Sequence, residues 1–383
     1  MKYPIKIASA MAAYYAVTGV YQNYISKYFG AQGLTDGEIG VLMAAPPLIS
    51  LIAQPVWGTL GDRAKSKNAV FRLMYVASAI LVLSYLISSS FWYLLFAVLA
   101  YSFFFTALQP MNDAIVLEAL GGRPFGPIRM AGTLTFAIVS PLAGAIIGDN
   151  WSASIWMTGT LLIAAALVTF LLPNVPGHQS EQGHKKMKFT ELLKQKELVL
   201  LLGFVMPLQI SMGYFYTYFS LHFTELEGAN STLLGLCYTI SSIAEVPFLL
   251  LSNKLYKRFG AGKLLISAGI SVTVRWILLG SLTNVYAVMA TQLFHGWGFI
   301  VMTVTMAYYI NDHVPAELKA SGQMLLGVVG FGIARAIGNL GGAACINLWG
   351  RQGTFYAAAV LSGLAVVCYF KKYMFAPRDN AQK

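Results

Sequence analysis

Residues 125–144 of the chain read FGPIRMAGTLTFAIVSPLAG, an almost wholly apolar stretch with one charged residue, Arg129. The stretch has the ~20 residues that an α-helix needs to cross the hydrocarbon core of a membrane. Similar apolar runs recur along the chain between polar breaks, and their spacing predicts twelve spans. The short alternating segments of a transmembrane barrel are missing from the sequence. The predicted fold class is therefore an all-α membrane protein.

The composition of the chain supports this class. Hydrophobic residues make up 57% of the 383 residues and charged residues only 11%, whereas a soluble domain carries about 25% charged residues. The three cysteines show neither a disulfide framework nor the spacing of metal ligands. No glycine-rich phosphate loop, nucleophile elbow or metal-binding motif is found. We expect no enzyme activity, no metal and no cofactor.

The distribution of basic residues predicts the topology. Of the 26 Lys and Arg residues, 21 fall in segments that face the cytoplasm when both termini are cytoplasmic, and three lie within spans. Two lie on the opposite face, Lys27 and Arg351. This asymmetry follows the positive-inside rule and requires an even number of spans. The net charge of +11 therefore reports orientation in the membrane, and we expect no nucleic-acid partner.

One long polar segment divides the chain near its middle. Residues 173–197 contain Pro, Gly, two His and several Lys, which is typical of a cytoplasmic linker. It separates a predicted six-helix bundle in residues 1–172 from a second one in residues 198–383.

The two halves share features at a constant offset of 195 residues, although chance matching of common residues is an alternative explanation. The matched pairs are Arg63 and Arg258, Gly132 and Gly327, and Phe136 and Phe331. Duplicated, pseudo-symmetric halves favour a transporter that works by alternating access, with its solute held near the membrane midplane.

A few ionisable residues remain inside the predicted spans. They are Asp113, Glu118, Arg129, Glu245, Arg275, His295 and Arg335. Each costs about 2.5–3.5 kcal/mol at the membrane centre on insertion scales, so each should face a partner or water. The three acids and three arginines can nearly neutralise one another. We expect Glu118 and Arg335 to lie near a membrane edge as helix-pairing residues, and the other five to be functional.

Asp113 and Arg129 are expected to meet in space. A short turn joins their two helices, which are therefore antiparallel neighbours. The arginine fork suits bidentate contact with a carboxylate or with solute hydroxyl groups. Phe136 lies two helical turns after Arg129 and shares its face, so its ring can stack on a solute or pack in the core.

Glu245, Arg275 and His295 form a second candidate group. A carboxylate in a low-dielectric site can hold a proton at neutral pH, and a nearby arginine favours its release. Histidine can change its charge in the physiological range. These are the parts that a proton-coupled transporter requires.

Two motifs resemble the major facilitator superfamily, and specifically its lactose-permease-like and phenylpropionate-permease-like proton symporters. GTLGDRAKSKN (residues 58–68) resembles the superfamily's loop between spans two and three, and FGPIRMAG (residues 125–132) resembles the span-five motif of that branch. The resemblance runs through the whole chain and implies the major facilitator fold. It also implies a conformational gating role for Gly58, Asp62 and Arg63, with Arg258 at the matching loop of the second half.

The resemblance implies the following roles within the membrane. Asp113 and Arg129 match solute-binding residues, and Phe136 matches a ring on which the sugar stacks. Glu245 matches an acid shared between solute binding and proton coupling, while Arg275 and His295 match coupling residues; His295 also contributes to the binding site. We include Tyr21 among the solute-binding candidates because its ring can pack against an aromatic solute.

The chain departs from the family pattern at the coupling site. The glutamate that carries the proton in the sugar permeases is replaced by Gly298, so Glu245, His295 or Asp113 must take that part. Two inter-helix ion pairs are replaced on both sides at once, which avoids stranded buried charges. The replaced positions are Phe215 with Phe331 and Tyr218 with Gln292.

The sequence thus predicts a proton-coupled symporter that imports a small polar organic solute, with a sugar or glycoside first. Uptake of an aromatic carboxylate or a nucleoside is the alternative, and proton-driven efflux ranks below both. The expected partners are the solute, protons and membrane lipids. The protein is expected to be a monomer in the bacterial cytoplasmic membrane, powered by the proton gradient.

Overall fold

The computed structural model describes residues 4–121, 125–177, 192–315 and 318–375, and the regular secondary structure of these residues is entirely helical. In chain order the α-helices are α1 (Ile5–Ala31), α2 (Asp36–Arg63), α3 (Lys67–Leu83), α4 (Phe91–Phe105), α5 (Leu108–Leu120), α6 (Gly126–Ile147), α7 (Ser152–Val168), α8 (Lys196–Phe223), α9 (Ser231–Ser281), α10 (Val285–Ala290), α11 (Leu293–His295), α12 (Val301–His313), α13 (Lys319–Leu326) and α14 (Ala334–Phe375). A helix satisfies its own backbone hydrogen bonds, which lipid cannot do.

Within the described residues, nine helical segments are long and apolar enough to cross a membrane. Two of them are unusually long, and each is interrupted by a glycine with a positive φ, Gly260 at 75° and Gly350 at 68°. Side chains other than hydrogen rarely adopt this conformation, so each long helix bends at its glycine. Large apolar side chains such as Leu250 are strongly exposed, as expected when lipid is the solvent. The count of twelve spans and the cytoplasmic termini stay predictions.

Two π-helical segments interrupt the helices of the C-terminal half. Gly296–Ile300 connects α11 to α12, and Gly327–Ile333 connects α13 to α14. π-helical turns are rare and occur frequently at functional sites. One follows His295 directly and the other ends just before Arg335, so both flank ionisable residues within predicted spans.

The chain divides into two compact units. The first contains Met1–Lys185 and Phe223–Thr239, and the second contains Lys186–His222 and Ile240–Lys383. The sequence boundaries 1–172, 173–197 and 198–383 stay a prediction, and residues 178–191 of the linker lie outside the described part of the chain.

In the first unit, the start of α9 packs tightly against α6. A Cβ atom placed at Gly235 would lie 2.6 Å from Cα of Pro141, and one at Gly144 would lie 2.6 Å from the backbone carbonyl carbon of Ser231. The Tyr24 hydroxyl donates to the backbone carbonyl of Ser140 at 2.6 Å, and the Ser231 hydroxyl donates to that of Gly144 at 2.7 Å. Glycine is required here because the two backbones approach too closely for a side chain.

The Gly235→Val variant should separate α9 from α6, because the backbone of Pro141 cannot move away as a flexible side chain could. Cys237 is fully buried in this region, so we expect its labelling by a maleimide to accelerate about tenfold or more as local opening becomes easier. Labelling is measured in a background in which Cys345 and Cys368 are serine.

Gly341→Val is the matched control, because a Cβ at Gly341 meets no atom within 4 Å among the described residues. Unchanged labelling of Cys237 in Gly235→Val would show that this contact does not hold the two helices together.

Candidate functional site

The first unit brings Asp113 and Arg129 together, as the sequence predicts. Nη1 of Arg129 lies 3.5 Å from Oδ1 of Asp113. The side chains are 40% and 29% exposed, respectively, so the pair is not sealed inside the protein. An arginine and a carboxylate that remain accessible can exchange their mutual contact for contacts with a polar solute.

An unpredicted tyrosine lies beside this pair. The guanidinium carbon of Arg129 is 5.5 Å from the ring centre of Tyr15. Gly132, one turn further along α6, makes room for the ring, because a Cβ there would lie 2.8 Å from Cε2 of Tyr15. Phe136 follows on the same helix and is half-buried against Gly19 of α1. Arg129 thus has a cation–π partner in Tyr15 and shares α6 with the ring of Phe136.

Tyr21 lies elsewhere, in a buried aromatic cluster of the first unit. Its ring centre is 4.7 Å from that of Tyr101, and its hydroxyl is 3.5 Å from that of Tyr85. Tyr14 of α1 lies within electrostatic range of both Asp113 and Arg129. The structure therefore places Tyr14 and Tyr15 near the ion pair and puts Tyr21 in core packing, while its solute-binding role stays a prediction.

In the second unit, Arg275 is fully buried and held by a set of fixed partners. Its Nη1 lies 2.8 Å from Nδ1 of His295, and its Nη2 donates to Oε1 of Gln292. The ring of Phe215 stacks on the guanidinium, with 4.0 Å between Cζ and the ring centre. Gln292 and Phe215 occupy positions where the family resemblance implies charged residues of inter-helix ion pairs. In this structure their side chains contact Arg275 instead.

The contact with Arg275 determines the tautomer of His295. A guanidinium can only donate, so Nδ1 of His295 must accept and carries no proton. The neutral ring then has its proton on Nε2, which donates to the hydroxyl oxygen of Tyr216 at 3.1 Å. In this conformation His295 relays a hydrogen bond from Arg275 to Tyr216 and cannot take up a further proton at Nδ1.

Glu245 lies beside this group. It is half-buried on α9, and its neighbour Ala244 packs against the helix that carries His295, since a Cβ at Gly296 would lie 2.6 Å from Cβ of Ala244. The Tyr216 phenol is within electrostatic range of Glu245, Arg275 and Arg335. The carboxylate, the relay and two arginines therefore form one electrostatic cluster.

Arg335 is not near a membrane edge, and that expectation is wrong. It lies at the middle of the helical run 321–349, which ends at the break at Gly350. Its Nε donates to Oε1 of Gln209 at 3.3 Å. Three rings surround its guanidinium carbon, those of Tyr216 at 4.7 Å, Phe331 at 5.0 Å and Phe299 at 5.7 Å. A residue's depth and rotation in a helix depend on tertiary packing, which the sequence pattern does not specify.

Of the candidate gating residues, Asp62 and Arg63 lie at the end of α2, Gly58 lies within α2, and Arg258 lies two residues before the break in α9 at Gly260. Lys67 lies 3.4 Å from both Asp62 and Glu118, so these three residues form a charge cluster, while the gating roles stay predictions. Arg63 and Arg258 are exposed. A close approach between α2 and α5 is found at Gly61, where a Cβ would lie 2.6 Å from Cε of Met111, whereas a Cβ at Gly58 meets no described atom within 4 Å.

Comparison with known proteins identifies relatives along nearly the whole chain. A family model described as "MFS_1 like family" matches residues 5–357. Maltose permease of Geobacillus stearothermophilus is 26% identical over 375 residues, which cover 95% of this chain and 91% of the permease. A probable 3-phenylpropionic acid transporter of Escherichia coli (strain K12) is 26% identical over 322 residues, or 82% of this chain and 83% of that protein.

A solved structure shares the fold. A single-residue variant of the nucleoside transporter NupG superposes with a TM-score of 0.87 at 14% identity and covers 96% of this chain and 99% of its own. Together with the family match, this confirms an all-α membrane protein with the major facilitator fold. The chain is a multi-pass membrane protein.

Proposed function

Because the chain belongs to the MFS_1 like family of membrane transporters, we propose that it is a proton-coupled symporter that imports a small polar organic solute by alternating access. The observation that supports proton coupling is the hydrogen-bonded relay Arg275–His295–Tyr216, which lies beside Glu245. Since His295 is neutral and held at both ring nitrogens, Glu245 is the carboxylate in this cluster that can bind and release a proton.

Solute binding is assigned to Arg129 and Asp113, with Tyr15 and Phe136 as the neighbouring rings. An arginine paired with a carboxylate offers donors and acceptors to hydroxyl groups, and a flat ring offers a stacking surface. A sugar or glycoside fits this chemistry, and the relative named maltose permease supports that class. A nucleoside fits the same chemistry and is supported by the nucleoside transporter of the same fold. An aromatic acid is supported by the relative named as a 3-phenylpropionic acid transporter.

The energy source is the proton gradient, and no cofactor takes part. Gly298 stands where the resemblance implies a proton-carrying glutamate, and the helix there packs against Val272, since a Cβ would lie 2.7 Å from its Cγ2. A carboxylate at this position would require Val272 to move, and we assign the proton to Glu245 instead. We propose a monomer embedded in the lipid of a bacterial cytoplasmic membrane.

Transport into proteoliposomes tests this function. With an acidic exterior and an alkaline interior, radiolabelled solutes from a panel of neutral sugars, nucleosides and aromatic acids are offered one at a time. We expect at least one solute to accumulate well above its external concentration, and to stop accumulating when a protonophore removes the gradient. Solute exit driven by the same gradient would support efflux and contradict the proposal.

A further inference from the structure

Glu118 pairs with Lys67 near the ends of their helices, so it does not compensate an arginine within the membrane. The remaining charges within the membrane are therefore not balanced. Two carboxylates remain at membrane depth among the described residues, Asp113 and Glu245, against the three arginines Arg129, Arg275 and Arg335. An uncompensated charge in this environment is costly and marks a functional position. The interior therefore carries one positive charge in excess.

The local contacts identify Arg335 as the arginine that can accept another partner. Arg275 is fully buried, and both of its Nη atoms have partners in His295 and Gln292. Arg129 has Asp113. Arg335 uses only its Nε, which donates to Gln209, and within the described part of the chain its two Nη groups donate no hydrogen bond.

Arg335 lies among aromatic rings that are only partly buried. Arg335 and the rings of Tyr216, Phe299 and Phe331 are each half-buried, while Gln209 behind them is fully buried. Phe299 and Phe331 each lie in one of the two π-helical segments, which shift side chains away from the regular helical positions. A cation with free donors among three rings suits an anionic group next to an apolar or flat one.

Tyr216 adds a second donor. Its oxygen already accepts from Nε2 of His295, so its own O–H is available to donate. The fork of Arg335 and this hydroxyl match the two oxygens of a carboxylate better than the single oxygen of a neutral hydroxyl.

We infer that Arg335 and Tyr216 bind a carboxylate of the transported solute, which is a small organic monocarboxylate with a flat or apolar body. This inference rests on the proposed transport function and narrows its substrate class from polar solutes in general to acids. The carboxylate supplies the negative charge that the membrane interior lacks.

Binding of matched acid and neutral ligands tests this assignment. Isothermal titration calorimetry on the purified full chain at neutral pH compares 3-phenylpropionate with 3-phenylpropionamide, and phenyl glucuronide with phenyl glucoside. We expect the acid to bind about tenfold tighter or more than its neutral partner in at least one pair, because charge-assisted hydrogen bonds are lost with the charge.

The Arg335→Gln variant should abolish this preference by weakening binding of the acid far more than binding of its neutral partner. Arg335→Lys should keep part of the preference, since the charge remains but the fork is lost. Arg72→Gln is the matched control, because Arg72 also stacks on a ring, that of Phe170 at 4.4 Å, and should keep the full preference.

The melting temperature of the ligand-free protein separates binding from a structural role. Removing an uncompensated charge should leave the Tm of Arg335→Gln unchanged or raise it. A lower Tm together with weaker binding of both acid and neutral ligands would overturn the inference and make Arg335 a structural residue. Equal binding within both pairs, no binding of either acid, or a preference that survives in Arg335→Gln would also overturn it.

The transport assay distinguishes this failure from failure of the proposed function. Proton-driven accumulation of a neutral sugar without any preference for acids would refute the carboxylate site alone. Failure of every solute in the panel to accumulate would refute the symporter itself.

Discussion

The Glu245→Gln variant is expected to lose uphill accumulation of solute completely, with internal and external concentrations becoming equal. Glutamine keeps the size and hydrogen-bonding capacity of the side chain but cannot bind and release a proton. Exchange of internal for external solute needs no net proton movement, so it should continue at a rate close to that of the wild type. Both quantities are measured in proteoliposomes, with and without a pH gradient.

The control for this prediction is Glu227→Gln, which removes a carboxylate from an exposed loop and should change neither quantity. Accumulation that persists in Glu245→Gln would exclude Glu245 as the proton carrier. Asp113 would then be the remaining carboxylate at membrane depth among the described residues, and Asp113→Asn would be the variant to test.

The Arg129→Lys variant should weaken solute binding at least about tenfold, because an ammonium group cannot reproduce the two parallel hydrogen bonds of the guanidinium fork. The partly exposed pair with Asp113 keeps its opposite charges in this variant. A large loss of solute affinity would therefore show that binding needs the shape of the guanidinium group and not only its charge. Binding is measured by calorimetry with the solute that the transport panel identifies.

Arg72→Lys provides the comparison, since it makes the same exchange at an arginine outside the proposed site. An unchanged Kd in Arg129→Lys would remove Arg129 from the binding site and leave its pair with Asp113 as a helix-joining contact. The melting temperatures of both variants show whether the fold is retained.

The pairing of Asp113 with Arg129 could be predicted because the connection between their helices is short. Two neighbouring antiparallel helices bring residues near their shared turn together, almost independently of the rest of the protein. Phe136 could be placed on the same face for a similar reason, since seven residues make two helical turns. Tyr15 was missed because it comes from α1, and no local pattern relates the rotation of α1 to that of α6.

The contacts of the second unit could not be predicted in the same way. Arg275, His295 and Glu245 were identified because a charge in an apolar run is conspicuous, but Gln292, Phe215 and Tyr216 are ordinary in such runs. Their roles follow from which faces of α8, α9 and the segment around His295 meet. The same applies to Arg335, whose position at mid-helix depends on the break at Gly350.

The amino-acid sequence alone determined the helical membrane class, the candidate charges and the local pair of Asp113 with Arg129, because hydrophobic length, charge and short connections act over a few tens of residues. Only the tertiary structure decided that Glu118 pairs with Lys67, that the neutral His295 ring links Arg275 to Tyr216, and that the Nη groups of Arg335 donate no hydrogen bond to any described residue. Those facts depend on the relative rotation and close approach of helices distant in sequence, which are set by packing among many side chains at once.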